Sequence, residues 1–227
     1  MKVYGKNVLN EVLSNPKKVK KLYMTSNMKD ERIMKSIREN KIQFESVSKE
    51  AMDRMVKGNH QGIMAIIDDY TYADYKTMYN DSLVVVLDHL EDPHNFGAII
   101  RTCEAAGVKS IIIPKDRSVD INETVMKTST GALEYVKVAR VNNLVKVMND
   151  FKDNGFFVYG AEADGISNKT CDYSDKVLLV VGSEGSGLSR LVRENCDEIV
   201  SLPMKGHVNS LNASVAAAIL IYDIVFR

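Results

Sequence analysis

Three short runs of unbroken aliphatic residues constrain this chain more than any other feature: LVVVL at 83–87, SIII at 110–113 and VLLVV at 177–181. Each is too short for a helix of ordinary length. None alternates apolar with polar residues, as a strand with one wet face would. Strands apolar at every position have both faces covered, as in a parallel sheet flanked by helices. Segments of helical period separate them, so the predicted connections are right-handed crossovers. Further strands are expected at 136–139, 156–159 and 198–202, and helices at 95–106, 122–130, 142–154, 188–195 and 211–226. Residues 82–227 therefore read as an α/β domain with a mainly parallel sheet. Ligands of such sheets bind beyond the carboxyl ends of the strands.

The first seventy residues alternate on a smaller scale. Helices are expected at 7–13, 30–40 and 49–56, and strands at 20–25, 42–47 and 62–67, giving a small layered α/β domain over 1–70. Residues 71–81 read as a linker or an edge segment. The stretch DDYTYADYKTMYND at 68–81 is rich in tyrosines, which either pack at a junction or stack on bases. Charge separates the two halves. Residues 1–70 hold 14 Lys+Arg against 9 Asp+Glu, and residues 71–227 hold 16 against 21. A basic amino-terminal module suits a polyanionic partner.

Several classes are disfavoured. No apolar run approaches the roughly 20 residues that span a bilayer, and the start MKVYGKNVLNEVL has no signal-peptide core. Cys103, Cys171 and Cys196 are odd in number and share no C-x-x-C spacing, so neither a disulfide framework nor a zinc site is indicated. His89 and His94 stand five apart with no evident third ligand, and no metal site is expected. The composition points to a reduced, cytoplasmic protein without a membrane partner.

Three segments leaving strands at the ligand edge carry the unusual residues. The first, LDHLEDPHNFGAIIRTCEAAG at 87–107, opens a helix near Asn95 and places Arg101 nearly two turns on. Asn95 as a helix cap is the plain alternative. In the second, Gly182 to Gly187 fits the start of a phosphate loop, G-x-x-x-x-G. Leu188 stands where the loop lysine belongs, and Glu184 would repel phosphate. A nucleoside triphosphate is therefore a poor ligand. In the third, SLPMKGHVNSLNASVAAAILIYDIVF at 201–226, a polar cluster at 209–212 precedes a strongly apolar helix.

Taken together, NFGAIIRT (95–102), VGSEGSGLS (181–189) and LPMKGHVNSLNASVA (202–216) resemble the three signature motifs of the SpoU-type RNA 2′-O-ribose methyltransferases, members of the SPOUT class. The likeness extends over essentially the whole chain. YGKNVLNEVL, GNHQGIMAI and DPHNFGAIIRTCEAAGVKSIIIPKDRS resemble the branch that modifies a guanosine ribose of large-subunit ribosomal RNA. The resemblance implies a trefoil-knotted methyltransferase domain and a ribosomal-protein-like amino-terminal domain that holds RNA. It implies S-adenosyl-L-methionine as methyl donor, bound bent within the knot, and a homodimer formed through the methyltransferase domain. RNA is the implied nucleic acid, not DNA.

Carried over by position, Asn95 and Arg101 match the catalytic Asn and Arg of the first motif, and Glu184 the glutamate of the second. Ser210 and Asn212 match the Ser and Asn of the third, while Gly182, Leu202 and Leu211 match positions lining the donor. Two roles stay open for Arg101: a base in a special environment, or a phosphate-binding group that orients the hydroxyl. Free guanidinium keeps its proton to above about pH 12, which makes the first awkward. A transfer RNA target and a non-catalytic ribosome-assembly factor are the rival readings. The intact motif residues argue against the second.

Overall fold

In the computed structural model, which describes residues 1–14 and 16–227, the chain divides into two units. The first comprises Met1–Thr71 with Ile121–Glu134, and the second Tyr72–Asp120 with Tyr135–Arg227. The first holds strands β1 (Lys2–Tyr4), β2 (Val19–Thr25), β3 (Glu45–Val47) and β4 (Ile63–Ile67), and helices α1 (Lys6–Val12), α2 (Glu31–Glu39) and α3 (Lys49–Met55). Its sheet runs β1-β4-β2-β3; β4 is antiparallel to both neighbours and β2 is parallel to β3. Asp30 caps α2 by accepting from Ile33 N–H at 3.3 Å, and Ser48 caps α3 through Ala51 N–H at 3.1 Å. Each such cap contributes about 1 kcal/mol. Ile33 and Ile37, one turn apart, bury the apolar face of α2. β1 has three residues, too few for a sequence pattern, and exists because β4 pairs with it.

The second unit holds β5 (Leu83–Asp88), α4 (Pro93–Ala105), β6 (Ser110–Pro114), β7 (Lys137–Val141), α6 (Leu144–Lys152), β8 (Phe157–Ser167), β9 (Val177–Gly182), α7 (Arg190–Glu194), β10 (Glu198–Ser201) and α8 (Ala213–Val225). Helix α5 (Glu123–Thr128), expected within this alternation, belongs to the first unit. The sheet is parallel throughout, in the order β10-β8-β9-β5-β6-β7. The chain lays β6 and β7 on one side of β5, then returns to the other side for β8, β9 and β10. The order thus reverses beside β5, and a ligand crevice opens at such a switch point.

Val84, Val86, Leu178 and Val180 are fully buried against Met148 and Phe151 of α6. Burying each aliphatic side chain stabilises the fold by about 1.5–3 kcal/mol. The tyrosine-rich segment joins this core as an edge, not as a free linker. Ala73 pairs with Ala139, Met78 is fully buried, and the Tyr79 ring lies 5.0 Å from that of Phe151, edge-on. Tyr75 donates its hydroxyl to Asp150 at 2.7 Å. Tyrosine supplies apolar area that a hydropathy pattern undercounts.

β8 extends well beyond the short strand expected at 156–159. Gly160 pairs with Ile199 and Ile166 with Val200, so residues 161–165 bulge out of the β10 ladder toward the carboxyl end of the sheet. Among the described residues no helix is long and apolar enough to cross a membrane.

Candidate active site

Helix α4 starts two residues earlier than its periodicity suggests. Asp92 caps it, accepting from His94 N–H at 2.9 Å, and Pro93 opens the first turn, where a missing N–H costs nothing. Asn95 is therefore not the cap, and its buried side chain is free for another partner. Its Nδ2 donates to Glu184 Oε1 at 2.8 Å.

Asn212 caps α8, its Oδ1 accepting from Ser214 N–H at 2.9 Å and Val215 N–H at 3.3 Å. That leaves its amide nitrogen pointing the other way. Asn212 Nδ2 donates to Asn95 Oδ1 at 3.0 Å and to the same Glu184 oxygen. Ala213 N–H also approaches that oxygen, at 3.4 Å. Three segments far apart in the chain so converge on one carboxylate oxygen. Glu184 Oε2 accepts no hydrogen bond from a described residue.

The loop carrying Glu184 is held from both sides. Ser183 and Gly187 exchange two backbone bonds of 3.1 Å, closing it into a tight hairpin. Glu162, in the β8 bulge, accepts from Leu188 N–H at 2.6 Å. Asp88, fully buried at the end of β5, accepts from Ser189 N–H at 2.6 Å. The second Asp88 oxygen meets His89 Nδ1 at 2.5 Å, and His89 Nε2 meets Arg117 at 3.3 Å. Arginine can only donate, so His89 Nε2 accepts and Nδ1–H donates to Asp88. Gly182 admits no side chain. A Cβ there would run into the Gly187 carbonyl group and the Leu188 nitrogen, so the hairpin could not fold back on β9.

Beneath this hairpin lies a cleft of about 610 Å³ at the carboxyl ends of β8, β9 and β10. Gly182, Glu184, Leu202, Ser210, Leu211 and Asn212 line it, and Asn95 stands behind Glu184. Val181, Val200, Ala216 and Leu220 give apolar wall. The charged residues among the described lining are Glu162 and Glu184, with no lysine or arginine. Such a cleft is built for a ligand with positive charge and an apolar body, and it is repulsive to phosphates.

The structure does not bring Arg101 into this cluster. It is exposed on α4, does not line the cleft, and makes no hydrogen bond or ion pair to another described residue. Ser210 lines the cleft without a side-chain bond to a described residue. Sequence reasoning misses Glu162 and Asp88. Asp88 is a carboxylate at the end of an apolar strand, where polarity is ordinary, and Glu162 shares the run AEADG at 161–165 with Asp164, inside a strand longer than its sequence suggests.

Comparison with known proteins fits this geometry. Residues 82–222 match the model of the SpoU rRNA Methylase family, and residues 2–73 match that of RNA 2′-O ribose methyltransferase substrate binding. A TrmH family tRNA/rRNA methyltransferase of Staphylococcus aureus is 41% identical, over 99% of this chain and 95% of its own. A protein of the same description from Staphylococcus haemolyticus is 40% identical, over 98% and 94%. Among solved structures, the SpoU methyltransferase AviRb from Streptomyces viridochromogenes, crystallised with AdoMet, shares the fold at a TM-score of 0.85 and 24% identity. That alignment covers 100% of this chain and 89% of AviRb. The TrmH/SpoU tRNA modifying enzyme of A. aeolicus aligns at a TM-score of 0.56 and 33% identity, over 63% and 74%.

Proposed function

Because the chain belongs to the SpoU rRNA methylase family, we propose that it transfers a methyl group from S-adenosyl-L-methionine to a ribose 2′-hydroxyl of structured RNA. The observation that carries this is the Asn95–Glu184–Asn212 cluster at the rim of a cleft with two carboxylates and no cation. The cleft residues fit the donor, a nucleoside whose sulfur bears positive charge.

Gly182, Leu202 and Leu211, which line the cleft, would hold the donor's body, and Glu162 and Glu184 would complement its charge. When bound, the donor would supply a methyl carbon on a sulfonium to the ribose oxygen, leaving as the neutral thioether while the hydroxyl proton is released to water. Glu184 fixes the Asn95 amide and thereby orients the ribose, which turns an encounter into an aligned attack. Asn212 locks that amide from the other side while capping α8. Arg101, exposed and without a partner among the described residues, takes an RNA phosphate and places the hydroxyl. The special-base role has no support from its surroundings.

A guanosine of large-subunit ribosomal RNA is the favoured target, supported by the motif likeness outside the three signatures. The dual naming of the staphylococcal relative keeps transfer RNA as the second reading. A homodimer is supported by α8, which leaves Val215, Ile219, Tyr222 and Phe226 exposed along one face. Three free cysteines support a reducing, cytoplasmic setting. The trefoil knot is part of this proposal and rests on family membership.

Incubation with methyl-labelled donor and separate ribosomal and transfer RNA pools, followed by mapping, tests the reading. Label on a ribosomal 2′-oxygen is expected. Label only in transfer RNA overturns the target, and label in neither pool from folded protein favours a binding factor.

A further inference from the structure

The motif GNHQG at 58–62 has no part in the methyl-transfer cleft, yet His60, Gln61 and Gly62 within it are each tied to other segments of the first unit. His60 is buried, and its Nδ1 accepts from Gly62 N–H at 2.9 Å. Its Nε2 therefore carries the proton, donated to Asp53 Oδ1 of α3 at 2.8 Å. Gln61, at a strained φ of 53°, turns its Oε1 to the Lys6 N–H at 2.8 Å, where the α1 cap Gly5 has no side chain to offer. Gly62 sits at φ 82° with its carbonyl bonded to Thr25 N–H at 2.9 Å; a Cβ would come within 2.7 Å of Thr25 Oγ1. Strain and bracing of this density mark a surface loop held for a purpose.

That loop forms one wall of a hollow of about 400 Å³, completed by Thr25–Lys29, Lys6, and Lys49 and Asp53 of α3. What the bracing leaves unused is one-sided. Lys29, Lys49, Asn27 and Asn59 make no side-chain bond to a described residue, and Lys6 has only Asp30 at 3.7 Å. The one carboxylate lining the hollow, Asp53, is occupied by His60. Three lysines, Lys6, Lys29 and Lys49, line the hollow against the single carboxylate of Asp53, so the fitting ligand is an anion with further oxygen acceptors. No Phe, Tyr or Trp lines it, so base stacking is not what it offers.

We propose that this hollow is an RNA-backbone subsite, taking a phosphodiester and its ribose through Lys29, Lys49 and the Asn59 amide. The inference rests on the reading of RNA as substrate, and it places sequence-independent grip in the first unit. The test compares full-length protein with the K29A/K49A double variant, binding a labelled transcript of large-subunit ribosomal RNA across a salt series. A K35A/K41A variant removes the same charge from residues that do not line the hollow. Affinity of K29A/K49A should fall about ten-fold, and its log K against log salt slope should lessen by about 0.7–0.9 for each phosphate it no longer neutralises. S-adenosylmethionine affinity, measured calorimetrically, should stay unchanged. An unaltered slope in K29A/K49A, or an equal drop in K35A/K41A, overturns the subsite. Wild-type protein that binds the donor but not the transcript overturns the ribosomal RNA reading and, with it, this proposal.

Discussion

The Asn95 amide and the Glu184 carboxylate, 89 positions apart in the chain, are joined by a 2.8 Å hydrogen bond that ties the first turn of α4 to the hairpin after β9. Asn212 closes the triangle from the start of α8. The three side chains restrain one another, and Asn212 is further held by its capping bonds to α8.

Glu184 separates geometry from charge. In E184Q the side-chain oxygen can still accept from both amides, whereas E184A leaves them without it. Single-turnover methyl transfer should fall about 100-fold in E184A and within about 10-fold in E184Q. Equal rates in the two variants would remove the positioning role.

Glu162 bears on recognition of the donor's charge. E162Q keeps an oxygen for the Leu188 N–H but removes one of the two negative charges lining the cleft. Calorimetry should show affinity for S-adenosylmethionine down by about 3–30-fold, with the uncharged thioether S-adenosylhomocysteine changed far less. Parallel drops for both ligands would make Glu162 a loop brace only.

Gly182→Ala forces the hairpin away from β9, because the new methyl meets the Gly187 backbone and no flexible side chain can yield. Overpacking of this kind costs about 1–3 kcal/mol, or about 2–12 °C in melting temperature for a chain of this size. Donor affinity should drop with it. A variant with wild-type melting and donor binding would contradict the close approach.

For Arg101, the phosphate role predicts that R101K keeps methyl transfer within about 10-fold of wild type. R101A should weaken RNA binding and reduce the salt slope by about 0.7–0.9. A collapse of single-turnover rate in R101K with RNA affinity intact would restore the base role.

What is legible in the sequence depends on what each residue does locally. The parallel sheet is readable because β5, β6 and β9 are apolar at nearly every position, and burial on both faces leaves no other pattern. Asn95, Glu184 and Asn212 stand out through motif likeness, since no periodicity singles them out. The start of α4 escapes local reading because Asn95 and Asp92 are both good caps, and Pro93 decides between them only once the first turn is built. Glu162 is hidden by the unexpected length of β8. The membership of residues 121–134 in the first unit is beyond local reading, being settled by packing of α5 on β1, by packing of residues 132–134 on α1, and by the Lys18–Glu134 pair at 2.6 Å.

That last arrangement bears on how such a protein can be inherited or re-engineered. The chain passes between its two units at 71/72, at 120/121 and again at 134/135. The amino-terminal seventy residues are thus not a detachable cassette. Exchange of that unit with a relative's would strand Val125, Met126, Ala132 and Leu133 without their native cover unless 121–134 travelled too. Recombination at the apparent boundary is then penalised unless residues 121–134 move with it.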